Sequence, residues 1–278
     1  MLSILHISDL HFGPPFVPRV GEALLKTATA LEADVIVVSG DITQRAKPEQ
    51  FAEARAFFDR LPPAPKVIVP GNHDVPLYRL RERLFEPYRW YREYIGDEQD
   101  HTLSLNNAVF VALNSTSPVR AIVNGRIEDN QLDFCARTFE AVPEDAIKVV
   151  VAHHHFAPAP DFERDRVMPR AKPAMDKFIS LGVDVILGGH VHRAYIGNSL
   201  NVYSGRDREH GVIIVQCGTT TSRRGRVREK EKNTFNLLKL DSNQVDVTHY
   251  MYFDDVDGFA PLSKHSFPRP GKDFLKTI

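Results

Sequence analysis

The chain has 278 residues, 42% hydrophobic and 26% charged, with a formal net charge of −1. That is room for one large or two modest globular domains, and the neutral balance excludes a strong general pull on nucleic acid or anionic membranes. Two cysteines, Cys135 and Cys217, are too few for a disulfide framework; with no signal-like N-terminus and no apolar run near the roughly 18 residues that span a bilayer, a cytoplasmic protein is expected.

In chain order, a strand is expected over Ser3–Ser8, closing on Asp9-Leu10-His11, then a helix over Gly21–Glu32. A second strand, Asp34–Ser39, ends in Gly40-Asp41 and leads to a helix over Glu49–Arg60. A third, Lys66–Val69, ends in Gly71-Asn72-His73-Asp74, followed by a helical stretch over Leu77–Tyr94. Strands over Val109–Leu113, Ile147–Ala152 and Val183–Leu187 alternate with helices over Asn130–Glu140 and Pro173–Leu181. Runs such as Val35-Ile36-Val37-Val38 are apolar at consecutive positions, as in strands buried on both faces. This alternation predicts an α/β layered architecture with a mainly parallel sheet.

The last third changes character, with strands expected over Asn201–Tyr203, Gly211–Cys217, Phe235–Leu240 and Val245–Tyr252. They suggest a second, more antiparallel sheet packed on the first. Residues 1–253 are therefore read as a single domain, and 254–278, with Pro261, Pro268, Pro270 and Gly271, as a C-terminal surface tail.

Five polar clusters close these strands: Asp9-Leu10-His11, Gly40-Asp41, Gly71-Asn72-His73-Asp74, His153-His154-His155 and Gly189-His190-Val191-His192. In open α/β sheets the reactive crevice lies beyond the carboxyl ends of the strands, so the five read as one site. Asp9 and His11, two apart, point to one side, although an N-cap Asp with an incidental His would look the same. Asp41 can bridge two cations, yet Gly-Asp alone is an ordinary turn. Asn72 supplies a neutral carbonyl oxygen. His73 beside it is free to act as an acid or to hold a phosphate, and Asp74 could fix its tautomer and raise its pKa. Three consecutive histidines cannot all face one ion; His153 is the expected ligand, His155 could reach a substrate oxygen, and His154 is read as structural. His190 and His192 repeat the alternate-residue pattern. Asp9, His11, Asp41 and His192 suit one metal, and Asp41, Asn72, His153 and His190 the other. Two carboxylates for two cations leave a positive centre that attracts phosphate and lowers the pKa of a bridging water from 15.7 towards roughly 7. The mixed N/O donors accept Mn, Fe, Zn or Co.

The ordered set Asp-x-His, Gly-Asp, Gly-Asn-His-Asp, a His after a strand and Gly-His-x-His resembles the calcineurin-like metallophosphoesterase family. The resemblance implies a four-layer αββα sandwich with two packed mixed β-sheets, two divalent or trivalent metal ions, and His73 binding the phosphate or protonating the leaving oxygen. The Asn114-Ser115 element and the Gly125…Gln131-Leu132 segment are similar to the subgroup of class III cyclic nucleotide phosphodiesterases and glycerophosphodiesterases. That subgroup often has His-His-Pro-Pro where this chain has His153-His154-His155-Phe156, and Asp where Asn114 stands. The implied activity is hydrolysis of a small phosphodiester such as 3',5'-cyclic AMP, by attack of a metal-bridging hydroxide. A DNA exonuclease or phosphomonoesterase on the same scaffold, or a non-catalytic binding module, are the alternatives; near-zero net charge argues against nucleic acid as partner.

Two segments bear on substrate or partner. Arg79–Tyr94 joins five arginines to Tyr88, Trp90, Tyr91 and Tyr94, and reads first as an amphipathic helix with aromatics in the core or at a homodimer contact, second as a cap over the metals. Arg223-Arg224-Gly225-Arg226-Val227-Arg228 reads first as a solvated loop, second as a contact for nucleic acid or a second phosphate.

Overall fold

A run such as Val35-Ile36-Val37-Val38 needs apolar partners on both faces of its strand, and two separate cores provide them. In the computed structural model, which describes residues 1–271 apart from 121, 161–165, 204–210, 226–229 and 231, Val35 and Val37 point into a core between two sheets. Ile36 and Val38 point into another, beneath helices.

The first sheet contains strands β1 (Leu2–Ile7), β2 (Val35–Val38), β3 (Lys66–Ile68), β10 (Thr234–Leu240), β11 (Gln244–Phe253) and β12 (Gly258–Pro268), in the order β12-β11-β10-β1-β2-β3. The second contains β4 (His101–Leu105), β5 (Ala108–Leu113), β6 (Ile147–Ala152), β7 (Val185–Gly188), β8 (Tyr195–Asn198) and β9 (Ile213–Gln216), in the order β4-β5-β6-β7-β9-β8. Both sheets are mixed: β1, β2 and β3 run parallel, as do β5, β6, β7 and β9, while the outer strands are antiparallel. Helices α1 (Pro18–Leu31) and α2 (Pro48–Arg60) cover the first sheet, with α3 (Leu80–Phe85) and α4 (Arg89–Tyr94) beside them; α5 (Asp129–Glu140) and α6 (Ala171–Ser180) cover the second. The order of layers is the expected αββα sandwich.

Several elements differ from expectation. Residues 258–268, read as part of a tail, form the edge strand β12, where Pro261 and Pro268 are tolerated because an edge strand need not donate on its outer side. The late strands do not build a sheet of their own: β10–β12 extend the first sheet through β1, and β9 joins the second beside β7. Asn201–Tyr203 is not a strand, since Ser199–Val202 form the single turn α7, capped by the Asn198 side chain. The helical stretch over Leu77–Tyr94 is broken between α3 and α4 at Pro87, which disfavours helix in the residue before it. Among the described residues no helix is long and apolar enough to cross a membrane.

The two sheets are tied at the end opposite the strand-end clusters. Arg269, just past β12, is 4% exposed. Its guanidinium donates to Asp184 at 2.8 and 3.1 Å, and to the carbonyls of Asp145 at 2.9 Å and Ala146 at 2.6 Å. Asp184, whose carboxyl burial pushes up against the pull of Arg269, also accepts from Lys148 N at 2.8 Å. Removing the guanidinium strands a buried carboxylate, so Arg269→Ala is expected to cost about 3–5 kcal/mol in urea unfolding.

Candidate metal centre

Each strand-end cluster leaves its strand into a turn that folds back over the sheet, and five of the site residues sit in left-handed backbone: Asp9 (φ 52), His11 (φ 53), Asp41 (φ 50), His190 (φ 75) and His192 (φ 52). Only ten non-glycine residues among those described have positive φ, so half of this uncommon conformation is concentrated here. Glycines supply the clearance. A Cβ at Gly40 (φ +94) would stand 2.5 Å from the His153 ring, and one at Gly71 would stand 2.3 Å from the Asp41 side chain.

The donor atoms converge on Asp41. His11 Nε2 lies 3.7 Å from both Asp9 Oδ1 and Asp41 Oδ2. His192 Nε2 lies 3.0 Å from Asp9 Oδ1 and 3.0 Å from His11 Nε2. On the other side, His153 Nε2 is 3.4 Å from Asp41 Oδ1, and His190 Nδ1 is 2.9 Å from Asn72 Oδ1. Ligand atoms of Asp9, His11, Asp41 and His192 all lie within 4.8 Å of one another, as do those of His153, His154 and His190.

Carbonyl oxygens decide which ring nitrogens face inward. His153 Nδ1 donates to Ser39 O at 2.7 Å, and His192 Nδ1 to Arg224 O at 2.7 Å. A carbonyl only accepts, so each neutral ring presents an Nε2 lone pair to a carboxylate. Lone pairs facing lone pairs repel unless a positive charge lies between them. Asp9 Oδ1 and His153 Nε2 are accordingly buried with no hydrogen-bond partner. The donors therefore fit two metal ions: a hard carboxylate–imidazole set on one side, and imidazoles with an amide oxygen on the other.

The electrostatics agree. Burial opposes ionisation of Asp9 and Asp41, but His192 beside Asp9 and His153 beside Asp41 hold both carboxyls well below the usual carboxylate range. Burial also works against a charged His153, yet Asp41 outweighs it and lifts the ring to about 9, a proton standing where a cation would. Burial, with the neighbouring rings of His154 and His153, keeps His190 well below the ordinary imidazole value.

Some assignments are corrected by the contacts. Asp74 does not orient His73. Its carboxylate accepts from Gly71 N at 2.9 Å, Ile42 N at 3.0 Å, Thr43 N at 2.7 Å and Thr43 Oγ1 at 2.9 Å, welding two ligand-bearing loops together. His73 instead donates Nδ1–H to Gln44 O at 2.9 Å, and burial lowers its pKa, opposite to the expected rise. His155 stacks on the His190 ring at 5.6 Å and is 3% exposed, packed behind the ligand, while the cavity wall is made by other side chains. Both ring nitrogens of His154 are engaged, by Ser115 Oγ at 2.8 Å and Val123 O at 3.1 Å, consistent with a structural role. Tyr88, Trp90, Tyr91 and Tyr94 pack into the core beneath the first sheet's helices.

A cavity of about 140 Å3 opens over the centre, lined by Asp41, Asn72, His73, His190 and His192, together with Gln44, Arg45, Val75, Leu77, Ile122 and Val123. Gln44 and Ser39 carry no signal in the sequence, and Arg224 is marked there only as part of a basic run that could meet a second phosphate. Arg224 donates to Gln44 Oε1 at 3.0 Å and approaches His73 Nδ1 to 3.4 Å, in addition to fixing His192. Backbone carbonyls leave no mark in a sequence, and the basic run that includes Arg224 reads as a loop; its Arg226 and Arg228 lie outside the described residues.

Two layered sheets with this donor set at the carboxyl ends of their parallel strands define a dinuclear metallohydrolase. The profile of the calcineurin-like phosphoesterases matches residues 2–194, and the chain belongs to that family, whose members use a dinuclear metal centre. The protein is thus a metal-dependent phosphoester hydrolase. A purple acid phosphatase from yellow lupin (Lupinus luteus) seeds is similar over 96% of this chain and 54% of that one, with a TM-score of 0.72 and 13% identity, so the chain spans about half the length of the lupin protein. A dimetal phosphatase from Danio rerio is similar over 96% of this chain and 99% of that one (TM-score 0.64, 12% identity). PhoD is similar over 94% and 71% respectively (TM-score 0.61, 11% identity). At these identities the likeness is one of fold. No curated protein matches the sequence significantly.

Chelation with EDTA is expected to lower the melting temperature and added Mn or Zn to restore it, since a cation at a hundred times its Kd contributes about 2.7 kcal/mol. Gly40→Ala, which crowds His153, is expected to lose bound metal in elemental analysis while keeping its far-ultraviolet circular dichroism.

Proposed function

We propose that the protein is a phosphodiesterase, a class of activity that includes hydrolysis of small diesters such as 3',5'-cyclic AMP. The observation that carries this reading is the mixed lining of the cavity, where polar and cationic side chains meet aliphatic ones. A diester has one negative charge and two ester groups. The centre with Asn72, His73 and Arg45 suits the charged phosphoryl group, and the aliphatic side chains of Val75, Leu77, Ile122 and Val123 suit the second ester group.

Asp9, His11, Asp41 and His192 would hold one metal, and Asp41, Asn72, His153 and His190 the other, with Mn, Fe or Zn suited to such donors. Bound there, two cations supply a nucleophile from water at neutral pH and stabilise charge on the phosphoryl oxygens. The remaining steps fall to side chains. Ser39 O and Arg224 O hold the imidazoles of His153 and His192 in one tautomer. Gln44 O fixes His73 Nδ1 and leaves Nε2 for the cavity. A phosphate anion favours the imidazolium form of His73, which then gives its Nε2 proton to the departing alkoxide. Asp74 acts as a positioning residue.

A phosphomonoesterase is the second reading. The guanidinium of Arg224 beside His73, with Arg45 on the cavity wall, would suit a dianion, and the lupin and Danio rerio proteins are named phosphatases.

Turnover of bis-(p-nitrophenyl) phosphate, p-nitrophenyl phosphate, cyclic AMP and single-stranded DNA, with Mn in the buffer, separates these readings. The diester substrates should be preferred, and a clear preference for p-nitrophenyl phosphate would overturn the proposal. His73→Ala should keep its metal content and lose about 10²–10⁴ in kcat on a diester with a poor leaving group. The loss should be smaller on bis-(p-nitrophenyl) phosphate, whose leaving group needs no proton.

A further inference from the structure

Among the described residues ten large hydrophobic side chains are exposed, and six of them, Tyr78, Leu80, Leu84, Phe85, Val119 and Val123, lie in two short segments. Single exposed apolar residues are ordinary; a cluster is not. Phe85 is 79% and Tyr78 76% exposed, and α3 buries none of its residues. The six-residue helix is too short to persist by itself. It is held by Arg79, which donates to the carbonyls of Arg45 and Ala46 and pairs with Glu82, and by Arg83, which donates to Leu77 O. Fixed anchors thus present an apolar surface to solvent.

The same two stretches of chain line the cavity through Leu77, Ile122 and Val123, so the exposed side chains adjoin the site in sequence. The rim is also locally basic in a chain of net charge −1. Arg89 is paired with Glu86, but among the described residues no ion pair neutralises the exposed Arg81 and Arg120, which adjoin Leu80 and Val119 in the sequence. Aromatic and aliphatic side chains with unpaired arginines around them are the chemistry of an anionic lipid surface. A protein seated on this rim would cover the cavity mouth, whereas a lipid surface would supply what enters it.

Resting on the phosphodiesterase reading, we propose that this rim docks on an anionic lipid surface and that the substrate is a phosphodiester with an apolar, membrane-anchored ester group lying along Leu77, Ile122 and Val123. In the reaction the oxygen of water bonds to phosphorus and one P–O ester bond breaks. The alcohol leaves with a proton, and a phosphomonoester remains.

The test is co-sedimentation of the full chain with vesicles of phosphatidylcholine alone or mixed with phosphatidylglycerol. Turnover of bis-(p-nitrophenyl) phosphate is followed in parallel. The protein should sediment with the anionic vesicles. The double variant Leu84→Ser/Phe85→Ser should lose about tenfold or more in vesicle affinity, because two apolar side chains no longer insert. Arg81→Glu should weaken binding to the anionic vesicles alone, and all variants should turn over the soluble diester as the parent does. Failure to sediment with either vesicle would overturn the proposal, as would equal sedimentation of the double variant. A patch that instead holds a second copy would show in sedimentation velocity as a dimer that the double variant dissociates, with no vesicle binding, and this too would overturn it. Loss of the underlying phosphodiesterase reading would appear separately, as absent turnover of the soluble diester in the parent protein.

Discussion

Electron-rich atoms held face to face, which need a positive charge between them, are the constraint on which the centre depends. Asp9 Oδ1 and His192 Nε2 are 3.0 Å apart, Asp41 Oδ1 and His153 Nε2 are 3.4 Å apart, and the carbonyls behind the imidazoles remove the easy escape of a tautomer change. A flexible loop would relax such an arrangement by turning the side chains outward. Here the backbone is committed to left-handed turns at five positions, Gly40 lets the chain pass against the His153 ring and Gly71 against Asp41, and Asp74 ties the loops after β2 and β3 to each other through three backbone N–H groups. The local cost of this geometry is met by the two sandwiched cores, which leave the turns nowhere else to go.

The donors are divided between the sheets. Asp9, His11, Asp41 and Asn72 follow strands of the first, and His153, His190 and His192 follow strands of the second. The distances across the centre are therefore set by how the sheets pack, through side chains such as Ile4, Val37, Val149 and Leu187. Close-packed interiors transmit displacement instead of absorbing it. A polar cluster within this layer adds direction to the packing. His6 reaches Ser39 Oγ at 2.9 Å, and Asn236 meets His249 at 2.5 Å. Ser39, whose carbonyl fixes His153, is thus held from beneath by a residue of β1.

The parts legible in the sequence were those in which one residue type has one physical use. Val35–Val38 and Val149–Val151 read as doubly buried strands because nothing else in a protein of this size hides consecutive β-branched residues. The polar clusters read as one site because their strands point the same way. What escaped was set by partners distant in the chain. β4, with alternate residues half-buried and exposed, is an edge strand whose apolar signal is weak. β12 has two prolines, and only its place at the sheet edge makes them harmless. Asp74 beside His73 invited a local pairing, yet the amides of Ile42 and Thr43 in the turn after β2, with that of Gly71 in its own turn, compete for its oxygens and win. The contact of Arg224 with the site spans 151 residues to His73, which no local pattern announces.

The antiparallel pairing of β1 with β10 has a consequence for how the molecule is made. Leu2 pairs with Leu240 and His6 with Asn236, so during synthesis β1 waits for a strand made much later to find its second neighbour. Pairings of such sequence separation raise contact order and slow folding, and multi-element chains expose sticky edges while they wait. The order of synthesis also means that Asp9, His11, Asp41 and Asn72 emerge long before His153, His190 and His192. A nascent chain holds only part of a ligand set, one that competes poorly for a cation. Full coordination coincides with the closing of the two sheets, so metal capture comes late and marks the finished fold.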